Sequence, residues 1–382
     1  MLIINDFFVR YKEAVSNQME LIAKNNDGKI ISATRFMGQK AMQEEELKDN
    51  IYVYSPIKYI FEAIKGVLKT TKTEKIHIFE EEPSIWKRIL LNKSQNPLYI
   101  SMYRRPNKKY AQHLKKYKTL KKVFVELKYH KELLINNGIP ESKIEVTPTP
   151  SKIPRRKSDK KYNPENINIL FASWNNKEGD AIRERGLEYL LKLLQVNPNA
   201  TLTIPLRDND TEEFEKMAEE MGVRDRVSLL EINNETNRLI QLFDNADFVS
   251  FVPQKRIVKD VPNSLIDGLV RGKPIIISDV IDFSREVKDN NIGIVVEKGA
   301  EPIKLNISES EYNALSQRAY EYSEIHSQQN YLAVIEKSYN KRRKSNFCEQ
   351  IQAGKIEKSD RTSQKERCVN EDCNCEHMGN IR

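Results

Sequence analysis

Groups that can bind phosphate are concentrated in one stretch of the sequence, Val261–Asp279. Pro262 suits the first turn of a helix, where its missing N–H group is not needed. Asn263 and Ser264 follow it, and the free N–H groups at such a helix start bind anions. Asp267 comes about one helical turn later. This combination predicts a pocket for a sugar nucleotide, with its phosphates at the helix start.

The residues around this start predict the elements that hold the pocket. Apolar residues at helical spacing follow it: Leu265, Ile266, Leu269 and Val270. The run Arg271-Gly272-Lys273-Pro274 then ends the helix. Ile275–Ile277 is a short apolar run, typical of a strand that is covered on both faces. A helix start beside a buried parallel strand is where open α/β sheets bind phosphate.

The rest of the chain alternates strands and helices, which predicts an α/β protein with mostly parallel sheets. Its 382 residues suit two domains. We expect a first domain over residues 1–150, a polar linker over 151–166 and a second domain over 167–330. A helix over 331–344 and a charged, disordered tail over 345–382 complete the chain.

Composition and charge narrow the class of protein. No apolar run reaches the roughly 18 residues of a membrane-spanning helix, and the first residues show no secretory signal. Three of the four cysteines lie in the tail, which argues against a disulfide-built extracellular fold. We therefore expect a cytoplasmic protein, with the inner face of the membrane as a peripheral location. The net charge of +8 favours an anionic partner, which could be a nucleotide, a phospholipid surface or nucleic acid.

The tail contains thiols and an imidazole close together, in the run C-V-N-E-D-C-N-C-E-H that begins at Cys368. Four such ligands can bind zinc in principle. Their spacing is not that of a standard zinc finger, so we favour a disordered tail that carries Cys368, Cys373 and Cys375 without a metal.

Several segments resemble a known enzyme family. Residues 261–279 read V-P-N-S-L-I-D-G-L-V-R-G-K-P-I-I-I-S-D, and residues 246–253 read A-D-F-V-S-F-V-P. Residues 124–150 end in I-E-V-T-P-T-P. These runs resemble retaining glycosyltransferases of family 4, which have the GT-B fold. The resemblance implies two Rossmann-like domains that face each other across a cleft, with a C-terminal helix that returns to the N-terminal domain.

The resemblance also implies roles for an acidic pair near the pocket. In the family, two glutamates separated by seven residues contact the donor, the first through sugar hydroxyls and the second through the ribose. Lys259 stands at the first position and Asp267 at the second. A lysine ammonium only donates hydrogen bonds. Lys259 would therefore contact the diphosphate or an acidic sugar, or Asp260 would supply the carboxylate, and we assign the catalytic positions to Lys259 and Asp260.

Donor binding is carried over from the same family. Arg185-Gly186 matches part of the turn that holds the diphosphate, whereas Ser173-Trp174 stands where Gly-Arg is expected. Arg183 or Lys177 are alternative sources of the missing cation. The implied donor-binding residues are Arg185, Ile232, Asn263, Ser264, Leu265 and Asp267. The implied donor is a UDP- or GDP-sugar, and neither a metal nor another cofactor is required.

The acceptor side is less sharply marked. Glu80, Glu81 and Glu82 follow a predicted strand, where polar side chains project into the cleft, although such a run is more often a solvated acidic turn. Tyr103 falls where many family members have a histidine. His77 alternates with isoleucines, so we interpret it as a structural, partly buried histidine. The acceptor side is therefore assigned to Glu80, Glu81 and Tyr103.

The stretch 103–131 is rich in lysine and arginine with interleaved tyrosines. It predicts a solvated helix face, an anionic acceptor or an anionic membrane surface. Nucleic-acid binding is a further alternative. No known nucleic-acid-binding module is visible, so we do not expect a nucleic-acid partner.

The resemblance implies an enzyme of hexosyltransferase type. It would move a sugar from a nucleotide donor, with retention of configuration, to a hydroxyl of a glycan, a lipid-linked acceptor or a protein. Three alternatives stay open: an inactive GT-B-like accessory subunit, a sugar-nucleotide epimerase, and a nucleic-acid-binding protein.

Overall fold

The computed structural model describes residues 1–6, 14–33, 50–79, 84–173, 181–206, 211–232, 236–256 and 259–339. Glu80, Glu81, Glu82, Lys177 and the cysteines of the tail lie outside these ranges, so the predictions on them stay predictions. Residues 1–334 form one compact unit, which contains both sheets described below. The second unit begins at Ile335, and its described residues, 335–339, are helical.

The first sheet has seven parallel strands in the order β3-β2-β1-β4-β5-β6-β7. The strands are β1 Leu2–Asn5, β2 Lys29–Ala33, β3 Ile51–Tyr54, β4 Ile76–Phe79, β5 Leu98–Met102, β6 Leu120–Val125 and β7 Ile144–Val146. The helices between them are α1 Ala14–Asn25, α2 Pro56–Lys69, α3 Ile85–Lys93, α4 Lys108–Leu114 and α5 Lys128–Asn136.

The second sheet has six parallel strands in the order β10-β9-β8-β11-β12-β13. The strands are β8 Ile167–Leu170, β9 Ala200–Leu206, β10 Val227–Glu231, β11 Phe248–Phe251, β12 Ile275–Ser278 and β13 Gly293–Val296. The helices are α6 Ala181–Glu184, α7 Leu187–Val196, α8 Glu212–Glu220, α9 Thr236–Asn245, α10 Asn263–Leu269, α11 Phe283–Asp289 and α12 Glu309–Tyr322.

Each sheet reverses its strand order once, between β1 and β4 and between β8 and β11. Such a reversal opens a crevice at the carboxyl ends of the strands, where α/β proteins bind ligands. The apolar runs explain why the strands lie inside: Ile275, Ile276 and Ile277 of β12 are fully buried, as a parallel sheet covered on both faces requires. His77 of β4 is buried as well, and its Nε2 lies 2.8 Å from Ser101 Oγ. Burial lowers its pKa to about 3, so it is a neutral core histidine.

Two segments have features that no local sequence signal indicates. The helix α12 ends at Tyr322, a 3₁₀ turn spans Ser323–His326, and helix resumes over 328–339. The break turns His326 inward, where its Nδ1 lies 2.7 Å from the carbonyl oxygen of Thr149. The polar segment before Gly186 contains the short helix α6.

The predicted linker over 151–166 contains no helix or strand but is firmly packed. The backbone N–H groups of Arg156 and Ser158 donate to the carbonyls of Val270 and Arg271, and Tyr162 stacks on Tyr312 with 4.1 Å between ring centroids. None of the helices in the described ranges is long and apolar enough to cross a membrane.

Candidate functional site

The start of α10 meets the end of β8 at the strand reversal of the second sheet. Ser264 Oγ lies 2.6 Å from Ser173 Oγ, and Arg185 Nη1 donates to the carbonyl oxygen of Ser173 at 2.8 Å. Pro262 precedes the helix with φ −65°, the angle that its ring imposes. Arg185 and Ser264, both assigned to donor binding from the sequence, therefore meet at Ser173.

Gly186 explains how Arg185 reaches this position. Its φ is +86°, and a Cβ built on it would lie 1.9 Å from the carbonyl oxygen of Val252. Only glycine fits here, because any side chain would overlap the backbone at the end of β11. A hydrogen bond of 3.0 Å from the N–H of Gln254 to the carbonyl of Glu184 holds the same turn.

Lys259 lies between the two sheets and bridges them. Its Nζ is 3.1 Å from Asn263 Oδ1 and 3.1 Å from Oε1 of Glu126, which directly follows β6 of the first sheet. Thr149 Oγ1 also donates to Glu126 Oε1, at 2.5 Å. Both side chains are mostly buried, so the carboxylate of Glu126 compensates the ammonium that stands at the acidic position of the family motif.

Asp260 takes part in a different cluster, which also joins the two sheets. His130 of α5 places its Nε2 3.5 Å from Asp260 Oδ2 and 3.2 Å from Asp282 Oδ2. Arg256 pairs with Asp260, and its two terminal nitrogens each lie 3.2 Å from an oxygen of Asp282. Arg105, in the loop after β5, lies 3.6 Å from Asp282 Oδ1. Asp260 is therefore held by His130 and Arg256.

The electrostatics of this cluster follow from burial and pairing. Burial alone would raise the pKa of Asp282, but hydrogen bonds from His130 and Arg256 outweigh it and lower the pKa to about 2. For His130, burial favours the neutral ring, yet the hydrogen bonds and charges of Asp260 and Asp282 raise the pKa overall. Burial would lower the pKa of Arg256, but the hydrogen bond to Asp282 and the charges of both carboxylates outweigh it and raise the pKa.

The same three residues offer the donor set of a metal site. Ligand atoms of His130, Asp260 and Asp282 lie within 4.8 Å of one another. The guanidinium of Arg256 already pairs with both carboxylates, so a divalent cation would have to displace it against charge repulsion. The residues therefore do not fit a resident metal.

The remaining donor-side residues lie around α10. Asp267 is buried, and its Oδ1 accepts from Ser151 Oγ at 2.8 Å and from the N–H of Lys152 at 3.2 Å. Leu265 packs in the core, and its N–H donates to the carbonyl of Pro262. Ile232 is buried just after β10, before residues 233–235, which lie outside the described ranges.

On the first sheet, Tyr103 lines a small cavity with room for about one water molecule. Polar atoms of four other lining residues are buried there without a hydrogen-bond partner among the described residues: Gln18 Nε2, Glu126 Oε2, Thr147 Oγ1 and Tyr331 Oη. Tyr331, from the last helical stretch, thus lies beside residues of the first sheet. Buried polar atoms without partners mark a place for water or a ligand hydroxyl.

Several residues of this site had no role in the sequence analysis, notably Glu126, His130, Arg256 and Asp282. Glu126 carried a usable signal, because it is the first polar residue after an apolar strand, at the edge where parallel sheets bind ligands. His130, Arg256 and Asp282 carried none, since their grouping depends on contacts between distant parts of the chain.

The comparisons with known proteins agree with this geometry. Residues 179–323 match the protein family described as Glycosyl transferases group 1, a segment that contains Arg185, Lys259, Asn263, Ser264 and Asp267. A search of curated proteins finds no match to the chain.

Solved structures resemble the chain over most of its length. The lipopolysaccharide outer core galactosyltransferase WaaB is 13% identical, with a TM-score of 0.61 over 89% of this chain and 99% of that one. A glycosyltransferase from Rickettsia africae is 15% identical, with a TM-score of 0.60 over 89% and 98%. HepE from Anabaena, solved in complex with UDP-glucose, is 12% identical, with a TM-score of 0.56 over 91% and 100%. At these identities the likeness concerns the fold, which is GT-B.

Proposed function

We propose that the chain is a glycosyltransferase that moves a sugar from a nucleoside diphosphate sugar to an acceptor hydroxyl. The observation that carries the proposal is the position of the matched segment. The region similar to group 1 glycosyltransferases, residues 179–323, contains β11, one of the two strands at the reversal of the second sheet, together with Arg185 and the start of α10. That likeness concerns the part of the chain in which a donor would bind.

The donor diphosphate would lie between Arg185 and Lys259, beside Asn263 and Ser264. As the glycosidic bond breaks, negative charge grows on the departing nucleotide, and fixed cations stabilise it. Asp267 and the backbone near Ile232 and Leu265 would contact the ribose and base. A UDP-sugar is the first donor to test, because HepE, which has the same fold, was solved with UDP-glucose. The roles assigned here need no metal ion.

The acceptor would enter from the first sheet, near Tyr103 and the polar cavity beside Glu126. Glu126 lines that cavity, and its buried Oε2 atom has no hydrogen-bond partner among the described residues, so it can accept a hydrogen bond from a hydroxyl group. Closing the cleft around both substrates would exclude water and prevent hydrolysis of the donor. Retention of configuration and transfer of a hexose belong to this proposal as the behaviour of the enzyme family that the sequence resembles.

A second candidate function is donor binding without transfer, as in an accessory subunit. The Lys259–Glu126 pair favours it, because the carboxylate expected at position 259 is replaced by a lysine whose charge is already paired. The two candidates differ in turnover and agree in donor binding.

Donor binding is tested by calorimetry and thermal unfolding of the full chain with UDP-glucose and GDP-mannose. A ligand at about 100 times its dissociation constant should add roughly 2.7 kcal/mol of stability. Arg185→Ala should weaken binding roughly tenfold or more, since it removes a charged hydrogen-bond donor. The matched control is Arg156→Ala, because Arg156 is an exposed arginine that pairs with the exposed Asp159. Equal losses for both variants, or none for Arg185→Ala, would argue against this donor site.

Turnover separates the two candidates. Release of the nucleoside diphosphate, with transfer of the sugar to one member of an acceptor panel, is expected from the enzyme. Donor binding without release of nucleotide, at every acceptor tried, would support the accessory function. Conversion of the donor into another nucleotide sugar without an acceptor would indicate an epimerase.

A further inference from the structure

Exposed apolar side chains are concentrated on two of the helices that connect the strands of the first sheet. Ile57, Phe61 and Leu68 of α2, with Ile85 and Ile89 of α3, expose between 55 and 75% of their surface. The other exposed large apolar residues in the described ranges expose only 37 to 41%. Scattered surface apolar residues need no explanation, but a grouping of the five most exposed ones does.

The spacing of these residues places them on the outer side of their helices. Ile57, Phe61 and Leu68 are four and seven residues apart, which aligns them in one stripe. The opposite side of α2 is buried through Tyr59, Ala63 and Val67. Ile85 and Ile89 are one turn apart on α3, and Leu91 faces inward.

The two apolar stripes belong to neighbouring helices. The ring of Tyr59 on α2 meets Trp86 of α3 edge to face, with 5.7 Å between centroids. On the other side of α3, Arg88 Nη1 lies 3.3 Å from His113 Nε2 of α4. The helices α2, α3 and α4 therefore form one layer, and we call its outward side, with the five apolar residues, the helical face.

The helical face is strongly basic. The three helices contain a single acidic residue, Glu62, which pairs with Lys65 at 3.5 Å. The basic residues of α2 to α4, apart from the buried Lys87, are Lys58, Lys65, Lys69, Arg88, Lys93, Lys108 and Lys109. Lys116 lines the groove between α3 and α4, next to Ile85 and Ile89.

We propose that the helical face docks onto an anionic lipid membrane, lying along its surface. Amphipathic helices with an apolar stripe and flanking lysines bind at the level of the lipid headgroups. A second copy of the chain would bring lysine against lysine in a symmetric interface. Nucleic acid would leave the isoleucines and Leu68 without a role, since it is bound by charge and aromatic stacking. The proposal does not depend on glycosyl transfer.

The test is sedimentation of the full chain with lipid vesicles. Vesicles of equal parts phosphatidylglycerol and phosphatidylcholine should bind the chain, pure phosphatidylcholine much less, and added salt should weaken the binding. Phe61→Ser with Leu68→Ser should weaken binding at least about tenfold, because two inserted apolar side chains are lost. Ile85→Ser with Ile89→Ser tests the second helix independently. The matched control is Val196→Ser with Ile325→Ser, two exposed residues outside the helical face.

Each other outcome overturns the proposal. Failure to bind anionic vesicles would do so, as would equal binding to both vesicle types or an equal loss in the control variant. If the chain does not bind vesicles but forms a dimer that dissociates in the variant Phe61→Ser with Leu68→Ser, the helical face binds a second copy of the chain. All substituted residues are exposed, and thermal unfolding verifies that each variant remains folded.

Discussion

Lys259 carries a positive charge at a position where the motif around it calls for a carboxylate. The ammonium group of Lys259 is paired with Glu126, which comes from the first sheet and lies 3.1 Å away. A buried cation without a partner would be strongly destabilising, so the two residues form a unit. The carboxylate that partners Lys259 thus comes from the first sheet, at the end of β6.

We expect Lys259→Ala to lower the free energy of unfolding by about 3 kcal/mol, because it leaves the carboxylate of Glu126 buried without a cation. Lys259→Ala combined with Glu126→Ala should cost less than the sum of the single variants. Urea unfolding of the three variants measures this coupling. Lys216→Ala is the control, since its pair with Glu220 is exposed and worth less than about 1 kcal/mol. Additive effects would show that the pair contributes no coupling.

Asp282 makes stability depend on acid pH. Its pKa falls from 3.8 to about 2 on folding, since the hydrogen bonds of His130 and Arg256 outweigh burial. The unfolded chain therefore takes up a proton first, and stability is lost as the pH falls from about 4 to about 2. In Asp282→Asn this part of the pH dependence should be absent. Unfolding curves at a series of pH values test this, and an unchanged slope would contradict the assignment.

Among the elements, the turn between α6 and α7 depends most clearly on one residue. Gly186 allows Arg185 to approach the end of β8, because its backbone touches that of Val252. The Arg-Gly pair is a local signal for a turn. The helix α6 and the break after Tyr322 have no such local signal, because the break depends on tertiary contacts such as that of His326 with Thr149.

We expect Gly186→Ala to destabilise the fold by about 3 kcal/mol or more, because the new Cβ adds a backbone clash to the strain of a positive φ. Gly222→Ala is the matched control. Gly222 has a φ of +67° but open space around its Cβ position, so it should lose only about 1 kcal/mol. Thermal unfolding of both variants makes the comparison, and equal losses would mean that the contact with Val252 does not matter.

At the scale of the whole molecule, two polar clusters join the sheets. One is the pair Lys259–Glu126, and the other groups His130 and Arg105 of the first sheet region with Arg256, Asp260 and Asp282 of the second. Such contacts set the relative position of the sheets. The protonation state of the side chains in them affects the strength of these contacts.

His130 should make the stability of the contacts between the two sheets depend on pH. Its pKa is raised on folding, because the effects of Asp260 and Asp282 exceed that of burial. The stabilisation is therefore complete below the ordinary value of 6.5 and is lost as the pH rises through the higher folded value. His130→Gln should remove this loss. Unfolding of the original protein and of the variant at neutral and mildly alkaline pH measures this loss of stability. Identical profiles would exclude His130 as the group responsible.

Local sequence was sufficient for the strands and most helices, including the start of α10. Hydrophobic periodicity, proline and glycine act within a few residues, so the run around Pro262, Asn263 and Ser264 predicts its own helix start. The two parallel sheets follow from the same alternation, and both are present. The burial of His77 was also foreseeable from its place between two isoleucines.

Only the tertiary structure decided what each polar side chain near α10 contacts. Asp267 meets Ser151, which is 116 residues away in the sequence, and Asp282 meets His130, which is 152 residues away. No periodicity links such positions, because these contacts form where residues from distant parts of the chain come together. The sequence thus determined where α10 begins, whereas the packing of the sheets determined which side chains the polar residues near that helix contact.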